Sequence, residues 1–294
     1  MDSLVFLFHD QLSLRKIPNG LRYGKLLMVE SYHEFSIQKH HKKKLVFILS
    51  AMRHFAQEAN LDYVKTEEPL LETIIKYMRE HNLTKLHAIR PGEYRYLSDL
   101  ARACEQNGFD FILHEDATFL SDPVEFEDWS KRYKRLVMEN FYRYMRRKTG
   151  LLMDGENPLG DRWNYDQENR KPMRKKVNVP KPITHQLNGI TEAVIALVEE
   201  RFGNHFGDIE PFWLGVTRTQ ALASLDHFIV NSLPSFGLYQ DAMKSGDDYM
   251  LFHSGLATYL NLGLLDPLEV CESVAQELYA GRVSLESAEG FIDK

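Results

Sequence analysis

Short runs of consecutive apolar residues, each followed by an amphipathic stretch, constrain the first 125 residues more than any other feature. Residues 4–8 and 26–29 are apolar without alternation, the pattern of a strand buried on both faces. Between Lys43 and Asn60, the residues Leu45, Ile48, Leu49, Met52, Phe55 and Ala56 recur at three- and four-residue spacing. That spacing predicts an amphipathic helix. A strand over 62–65, a helix over 69–81, a strand over 85–89, a helix over 93–107 and a strand over 109–114 follow, with Gly92 and Gly108 at turns. Alternation of this kind requires a mostly parallel, doubly wound sheet with helices on both faces.

After Asp122 and Pro123 the pattern turns helical. Residues 125–147 suit one or two helices, and 183–202, 217–233, 249–262 and 267–280 read as further helices, with an N-cap signature at Thr191 and a stop at Gly203. Between 149 and 182, Gly150, Gly155, Pro158, Gly160 and Pro172 break any regular element, which predicts a long connection. The expected division is an α/β domain over 1–125, a basic helical and irregular linker over 126–185, and an all-α portion over 186–294.

Two cysteines, Cys104 and Cys271, lie far apart among apolar neighbours and match no metal spacing. The first residues lack a basic leader and read as a strand, and no apolar run approaches the ~20 residues that span a bilayer. A soluble, cytoplasmic chain with reduced thiols is expected. The net charge of −6 gives no general case for nucleic acid, but the charge is uneven. From Lys131 to Lys181 fifteen Lys and Arg stand against six acids, a local balance of +9. Tyr133, Phe141, Tyr142, Tyr144, Trp163 and Tyr165 are interleaved with them. Basic groups with aromatics suit a groove that follows phosphates, and they equally suit a solvated helix face over core aromatics.

Several strings, in order, carry more than periodicity: 9–12 (HDQL), 28–30 (MVE), 40–44 (HHKKK), 49–55 (LSAMRHF), 91–93 (PGE), 138–153 (MENFYRYMRRKTGLLM), 162–172 (RWNYDQENRKP), 217–221 (TRTQA), 239–243 (YQDAM), 252–254 (FHS) and 261–265 (NLGLL). As a set the chain resembles the front portion of the iron–sulfur bacterial cryptochrome/photolyase family, the deoxyribodipyrimidine photolyase-related proteins similar to prokaryotic (6-4) photolyases. The resemblance covers essentially the whole chain. It implies an antenna-type α/β domain, a long linker and a helical domain that holds FAD. It also implies a ribityl-lumazine antenna chromophore, a [4Fe-4S] cluster, damaged DNA as partner, and a role in light-dependent repair of (6-4) photoproducts or in blue-light reception.

Carried onto this sequence, the resemblance assigns Asp10, Gln11 and Glu34 to the antenna chromophore, at the carboxyl ends of the first two strands. A carboxylate or amide there accepts from ring N–H and ribityl hydroxyl groups. It assigns Tyr239, His253, Ser254, Leu256, Thr258 and Asn261 to FAD, with hydroxyl and backbone donors at a helix start facing the pyrophosphate. Gly255 and Ala257 depart from the family pattern there, and Ala257 removes one hydroxyl. Asp166 and Asp241 match acids of the lesion pocket, and Arg143, Arg146, Arg147, Lys148 and Arg170 are candidate DNA contacts. His40 and His41 read as a helix entry, since adjacent residues do not share a helix face and no acid or cysteine cluster joins them.

A [4Fe-4S] cluster needs four cysteines and this chain has two, so no cluster and no bound metal are expected in it. The family's downstream histidines and electron-transfer aromatics are also missing, so no catalytic residue is expected in this chain. The expectation is a truncated flavoprotein, inactive alone, with a second polypeptide that carries the missing half as one candidate partner beside damaged DNA. Leu251, Leu260, Leu264, Leu265 and Leu268 are then expected to lose burial, leaving the region after Thr217 marginal. The competing reading is a non-catalytic chromophore-binding or protein-interaction remnant of the α/β domain. A nucleotide-binding enzyme unrelated to light is disfavoured, because no glycine-rich phosphate motif follows any strand.

Overall fold

A computed structural model describes residues 2–169, 171–172, 177–244 and 250–293. The chain packs as two units. The first comprises Met1–Thr118, Thr184–Arg218 and Asn261–Leu264. The second comprises Phe119–Ile183, Thr219–Leu260 and Leu265–Lys294.

The first unit is the expected parallel sheet. In chain order it contains β1 (Ser3–Leu7), β2 (Lys25–Ser31), α1 (Tyr32–Ser36), α2 (Lys42–Ala59), β3 (Asp62–Thr66), α3 (Leu70–Glu80), β4 (Lys85–Ile89), α4 (Tyr94–Asn107) and β5 (Asp110–His114). The strand order is β3-β2-β1-β4-β5, every pair parallel, with Val5 opposite Leu26 on one side and His87 on the other. One face buries Phe6, Leu27, Leu86 and Ala88 against Ile74, Met78, Leu100 and Cys104 of α3 and α4. Burial pushes the Cys104 thiol up to about 11, so it is an unreactive core group. Helix α2 buries Leu45, Leu49 and Met52 and is capped by His41, whose Nδ1 accepts the Lys43 N–H at 3.1 Å. Helix α4 stops at Gly108, whose φ of 69° lies in the left-handed region where a Cβ is costly.

Helix α7 (Gly189–Arg201) packs against α2 within the same unit. The units therefore group the chain differently from the sequence division at 125 and 185. Residues 184–218, read as the start of the all-α portion, pack with the sheet because α7 adds a layer to α2. The helix also starts later than residue 183. Asn188, not Thr191, is its N-cap and accepts the Thr191 N–H at 3.1 Å, while the His185 N–H donates to the Trp213 carbonyl outside any helix.

The second unit holds α5 (Pro123–Ser130), α6 (Met138–Thr149), the hairpin β6 (Met153–Asp154) and β7 (Asn157–Pro158), most of α8 (Arg218–Asn231), α9 (Leu233–Tyr239), α10 (Ala257–Asn261, its last residue in the first unit), α11 (Pro267–Tyr279) and α12 (Leu285–Ile292). Asp122 caps α5 and Gly150 ends α6. The helix read over 249–262 shortens to α10, because Leu251 and Gly255 take left-handed φ values of 47° and 65°. Leu251 packs with Tyr239 and Phe252, and Leu268 and Cys271 pack around Leu151, Leu152 and Ala275. Leu251, Leu264 and Leu265 are buried, and Leu260 and Leu268 half-buried, so the expected loss of their burial is corrected: neighbouring segments of the chain cover them. Among the described residues no helix is long and apolar enough to cross a membrane.

Candidate functional site

A parallel sheet with β1 at its centre reverses winding direction between β1 and β4, and loops leaving the carboxyl ends of those strands must part. A cavity of about 230 Å3 opens there. Its walls are Phe6, Phe8, Val29, Ile48 and Leu70, and its polar groups are His9 after β1, Ser31 at the end of β2 and Glu34 beyond it, His40 before α2 and Lys44 in its first turn, and Glu93, Arg95 and Tyr96 after β4. Apolar walls with a few convergent polar groups suit a planar heteroaromatic ligand.

Glu34 is the expected residue that the fold places at this cavity. Ser31 caps α1 and turns the chain so that the Glu34 side chain faces α4. There its Oε2 accepts from the Tyr96 hydroxyl at 2.8 Å and from Arg95 Nη2 at 3.0 Å. Arg95 also lies over the Tyr96 ring, 4.4 Å from its centroid, and pairs with Glu93. Burial, followed by the Glu34 carboxylate, pushes the Tyr96 hydroxyl far above its ordinary range, so it is a fixed donor. Burial likewise holds His9 below the usual imidazole range, the nearby Asp10 acting the other way.

Asp10 does not line this cavity. Its Oδ2 is 3.5 Å from where a Cβ on Gly92 would stand, and its Oδ1 is buried with no hydrogen-bond partner among the described residues. Gln11 is a correction. Its Oε1 accepts the Phe8 N–H at 3.1 Å and its Nε2 donates to the carbonyls of Ile89 and Arg90, so the amide ties β1 to β4 and has no role left at a ligand. Sequence reasoning missed His9, Lys44, Arg95 and Tyr96. The signal was present in the run 93–96 directly after β4, the strand beside β1.

The residues assigned to FAD do not form a cradle. Tyr239 is buried and stacks on Phe252 with centroids 5.1 Å apart, and Leu256 is buried. The Ser254 hydroxyl accepts the Leu256 N–H, and the Thr258 hydroxyl donates to the Gly255 carbonyl, each at 3.4 Å. His253 is exposed, and Asn261 is the exposed last residue of α10. A cavity of about 440 Å3 in the second unit is lined instead by residues of α8, α9 and α11 with Arg282 and Val283, and by none of the six. Hydroxyls that bond their own turn and a five-residue helix do not supply donors for a pyrophosphate, so the described residues do not fit that group.

Asp166 is half-buried and accepts from Gln240 Nε2 at 3.4 Å, which brings it to the residue before the exposed Asp241. The candidate DNA contacts separate sharply. Arg146 is only 2% exposed, and its guanidinium donates to the carbonyls of Leu151, Leu152 and Trp163, so it is a buried clip and not a phosphate contact. Arg143 pairs with Glu139 at 2.8 Å and Lys148 with Glu125 at 2.5 Å. Arg147 is exposed, with its guanidinium 4.5 Å from the Trp163 centroid. Arg170 lies outside the described residues. Most of the interleaved aromatics are packing groups: Phe141 and Tyr133 surround the buried Trp129, each 4.8 Å from its ring. Among the described residues no group of three or more His, Cys, Asp or Glu is placed to hold a metal ion.

The family model for deoxyribodipyrimidine photo-lyase-related proteins matches residues 5–214. A (6-4) photolyase of Agrobacterium fabrum (strain C58 / ATCC 33970) is 39% identical over 305 aligned positions, which cover 99% of this chain and 60% of that protein. An uncharacterized protein, R852, of Acanthamoeba polyphaga mimivirus is 25% identical over 145 positions, covering 46% of this chain and 73% of that protein. Among solved structures, a bacterial class III photolyase from Agrobacterium tumefaciens superposes with a TM-score of 0.60 at 14% identity, over 99% of this chain and 56% of that one, a likeness of fold. The chain spans about 60% of the length of the first of these relatives.

Proposed function

Because the chain belongs to the family of deoxyribodipyrimidine photo-lyase-related proteins, we propose that its α/β unit holds the antenna chromophore of a photolyase/cryptochrome-like protein. The activity proposed for the full-length protein is light-dependent repair of (6-4) photoproducts in damaged DNA, in line with the name of the 39%-identical relative. The observation that carries the chromophore reading is the cavity at the β1–β4 switch point, with Glu34 held between Arg95 and Tyr96. Its donor set and apolar walls fit a ribityl-lumazine: Glu34 is the acceptor for ring N–H or ribityl hydroxyl groups, and Phe6, Phe8 and Leu70 shield the ring from water. Such a chromophore supplies light absorption when bound.

A second reading is favoured by Tyr239 stacking on Phe252 and by the Ser254 and Thr258 hydroxyls bonding within their own turn. On it the chain alone binds a chromophore and carries out no flavin chemistry, and repair needs residues it does not contain, supplied in a longer protein or by a second polypeptide. A cytoplasmic location goes with either reading. The test is the absorption of the chain purified from a host that makes the lumazine. A lumazine band that survives gel filtration and disappears in Glu34→Ala is the expected result, and a colourless protein would sink the chromophore reading. Blue-light repair of a (6-4) lesion by the lone chain would overturn the second reading.

A further inference from the structure

We propose that the start of α2 is a pH-operated latch on the cavity of the α/β unit, with His41 and His205 as positioning residues whose neutral imidazoles hold it closed. The proposal rests on the reading of the cavity as a chromophore site and adds how retention of the chromophore is regulated.

The turn that opens α2 carries two residues of the cavity lining, His40 and Lys44. The segment that follows α7, in the same unit, ties this turn down. The His40 N–H donates to His205 Nδ1 at 3.2 Å, and the Lys42 N–H to the Phe206 carbonyl at 2.9 Å. Lys43 Nζ donates to the Pro211 carbonyl at 2.7 Å, and Lys42 Nζ lies 3.0 Å from Glu199 of α7. Gly207, at a φ of 80°, passes so close to the His41 ring that a Cβ there would overlap it. Phe206 meets the same ring edge-on, with centroids 5.6 Å apart.

His41 Nδ1 accepts the Lys43 N–H, so two backbone N–H groups at this turn end on imidazole nitrogens. Helices α1, α5 and α7 are capped instead by oxygens of Ser31, Asp122 and Asn188, which remain acceptors near neutrality. An imidazole changes charge between about pH 5 and 8, and protonation turns its lone pair into a donor. His41 and His205 would then each present an N–H to an N–H, at the positive end of an 18-residue helix.

The charges around the latch are accounted for. Lys42 is paired with Glu199, Lys43 sits on a carbonyl, and Asp208 and Glu210 are exposed. On the cavity side, burial holds His40 below the usual imidazole range, followed by the charges of Lys44, His205 and His9. Burial does the same to His9, with Lys44 adding to it and Asp10 and Glu93 opposing. The closed cavity keeps these imidazoles neutral and binds fewer protons than an opened one, so closure weakens as pH falls.

Lumazine binding to the full chain, read by fluorescence titration, is expected to be about tenfold weaker near pH ~5.5 than near pH ~7.5, the scale of one or two backbone hydrogen bonds. The double variant His41→Asn, His205→Asn puts at each Nδ1 an amide oxygen that accepts at both values. It is expected to bind like the unaltered chain at the higher pH and to bring the ratio to about one. His9 and His40 still titrate in that variant, so a ratio that survives there belongs to them and overturns the latch. Binding by the unaltered chain that does not change with pH overturns it too. Should the variant fail to fold, amide hydrogen exchange in the unaltered chain decides. Corrected for its intrinsic pH dependence, exchange at residues 40–45 is expected to quicken about tenfold over the same interval while that of β1 does not. Unchanged exchange overturns the latch. If no lumazine binds at either pH, the chromophore reading fails and exchange alone decides the latch.

Discussion

In the α/β unit Glu34 keeps 15% of its side chain exposed and meets Arg95 and Tyr96 at the wall of a cavity. In the helical unit Glu289 is 2% exposed and accepts the Tyr142 hydroxyl at 2.9 Å and the Tyr165 N–H at 3.2 Å. Both carboxylates are held by a tyrosine, and the second oxygen of Glu34 also accepts the Leu70 N–H at 3.5 Å, yet Glu34 keeps an exposed edge on a cavity. The difference teaches that partners alone do not mark a site. A polar side chain whose bonds are all made within the fold fixes geometry, whereas one held on one side and open on the other is positioned to receive a ligand. Arg146 and Gln11 belong with Glu289.

The largest expected effect tests the closed kind. Arg146→Ala strands three backbone carbonyls and is expected to cost about 4 kcal/mol, whereas Arg147→Ala one position on stays within about 0.5 kcal/mol. Urea unfolding followed by tryptophan fluorescence reads this directly, since Trp129 and Trp163 lie in the helical unit. Equal losses would erase the distinction between clip and surface charge. Next in size is the pH response of Glu289. Burial pushes its carboxyl up to about 7, so the folded state favours the protonated form. That contribution is fully present below about pH 4.5 and is lost as pH rises to about 7, on the order of 2–3 kcal/mol. Glu289→Gln is expected to flatten this slope, and an unchanged slope would place the titration elsewhere.

A smaller effect is expected at Gly290, where a Cβ would lie 2.7 Å from both the Asn169 side-chain nitrogen and Gln240 Oε1. Gly290→Ala is expected to cost about 1–3 kcal/mol by forcing apart α9 and α12, which meet at Gly237 and Ser287. The smallest stability effect belongs to the open kind: Glu34→Gln is expected to lower unfolding free energy by less than about 1 kcal/mol while releasing the chromophore band. A large loss of stability there would move Glu34 into the same class as Glu289.

The amino-acid sequence by itself determined the strand and helix alternation through residue 114, because a parallel strand buried on two faces must be continuously apolar and a covering helix must repeat every three to four residues. It placed the change to helices after Asp122 and Pro123, a turn at Gly108 and a break at Gly150, since capping and left-handed turns act within four residues. The family resemblance, not local pattern, pointed to Glu34 just beyond a strand end. Only the tertiary structure decided which polar groups remain available. Gln11 is consumed by carbonyls 78 and 79 residues away, and residues 184–218 join the sheet through α7 and α2. Local rules fix where a side chain starts on its element, but hydrogen-bond saturation is settled by neighbours far apart in the chain, and those distances exist only once the core has packed.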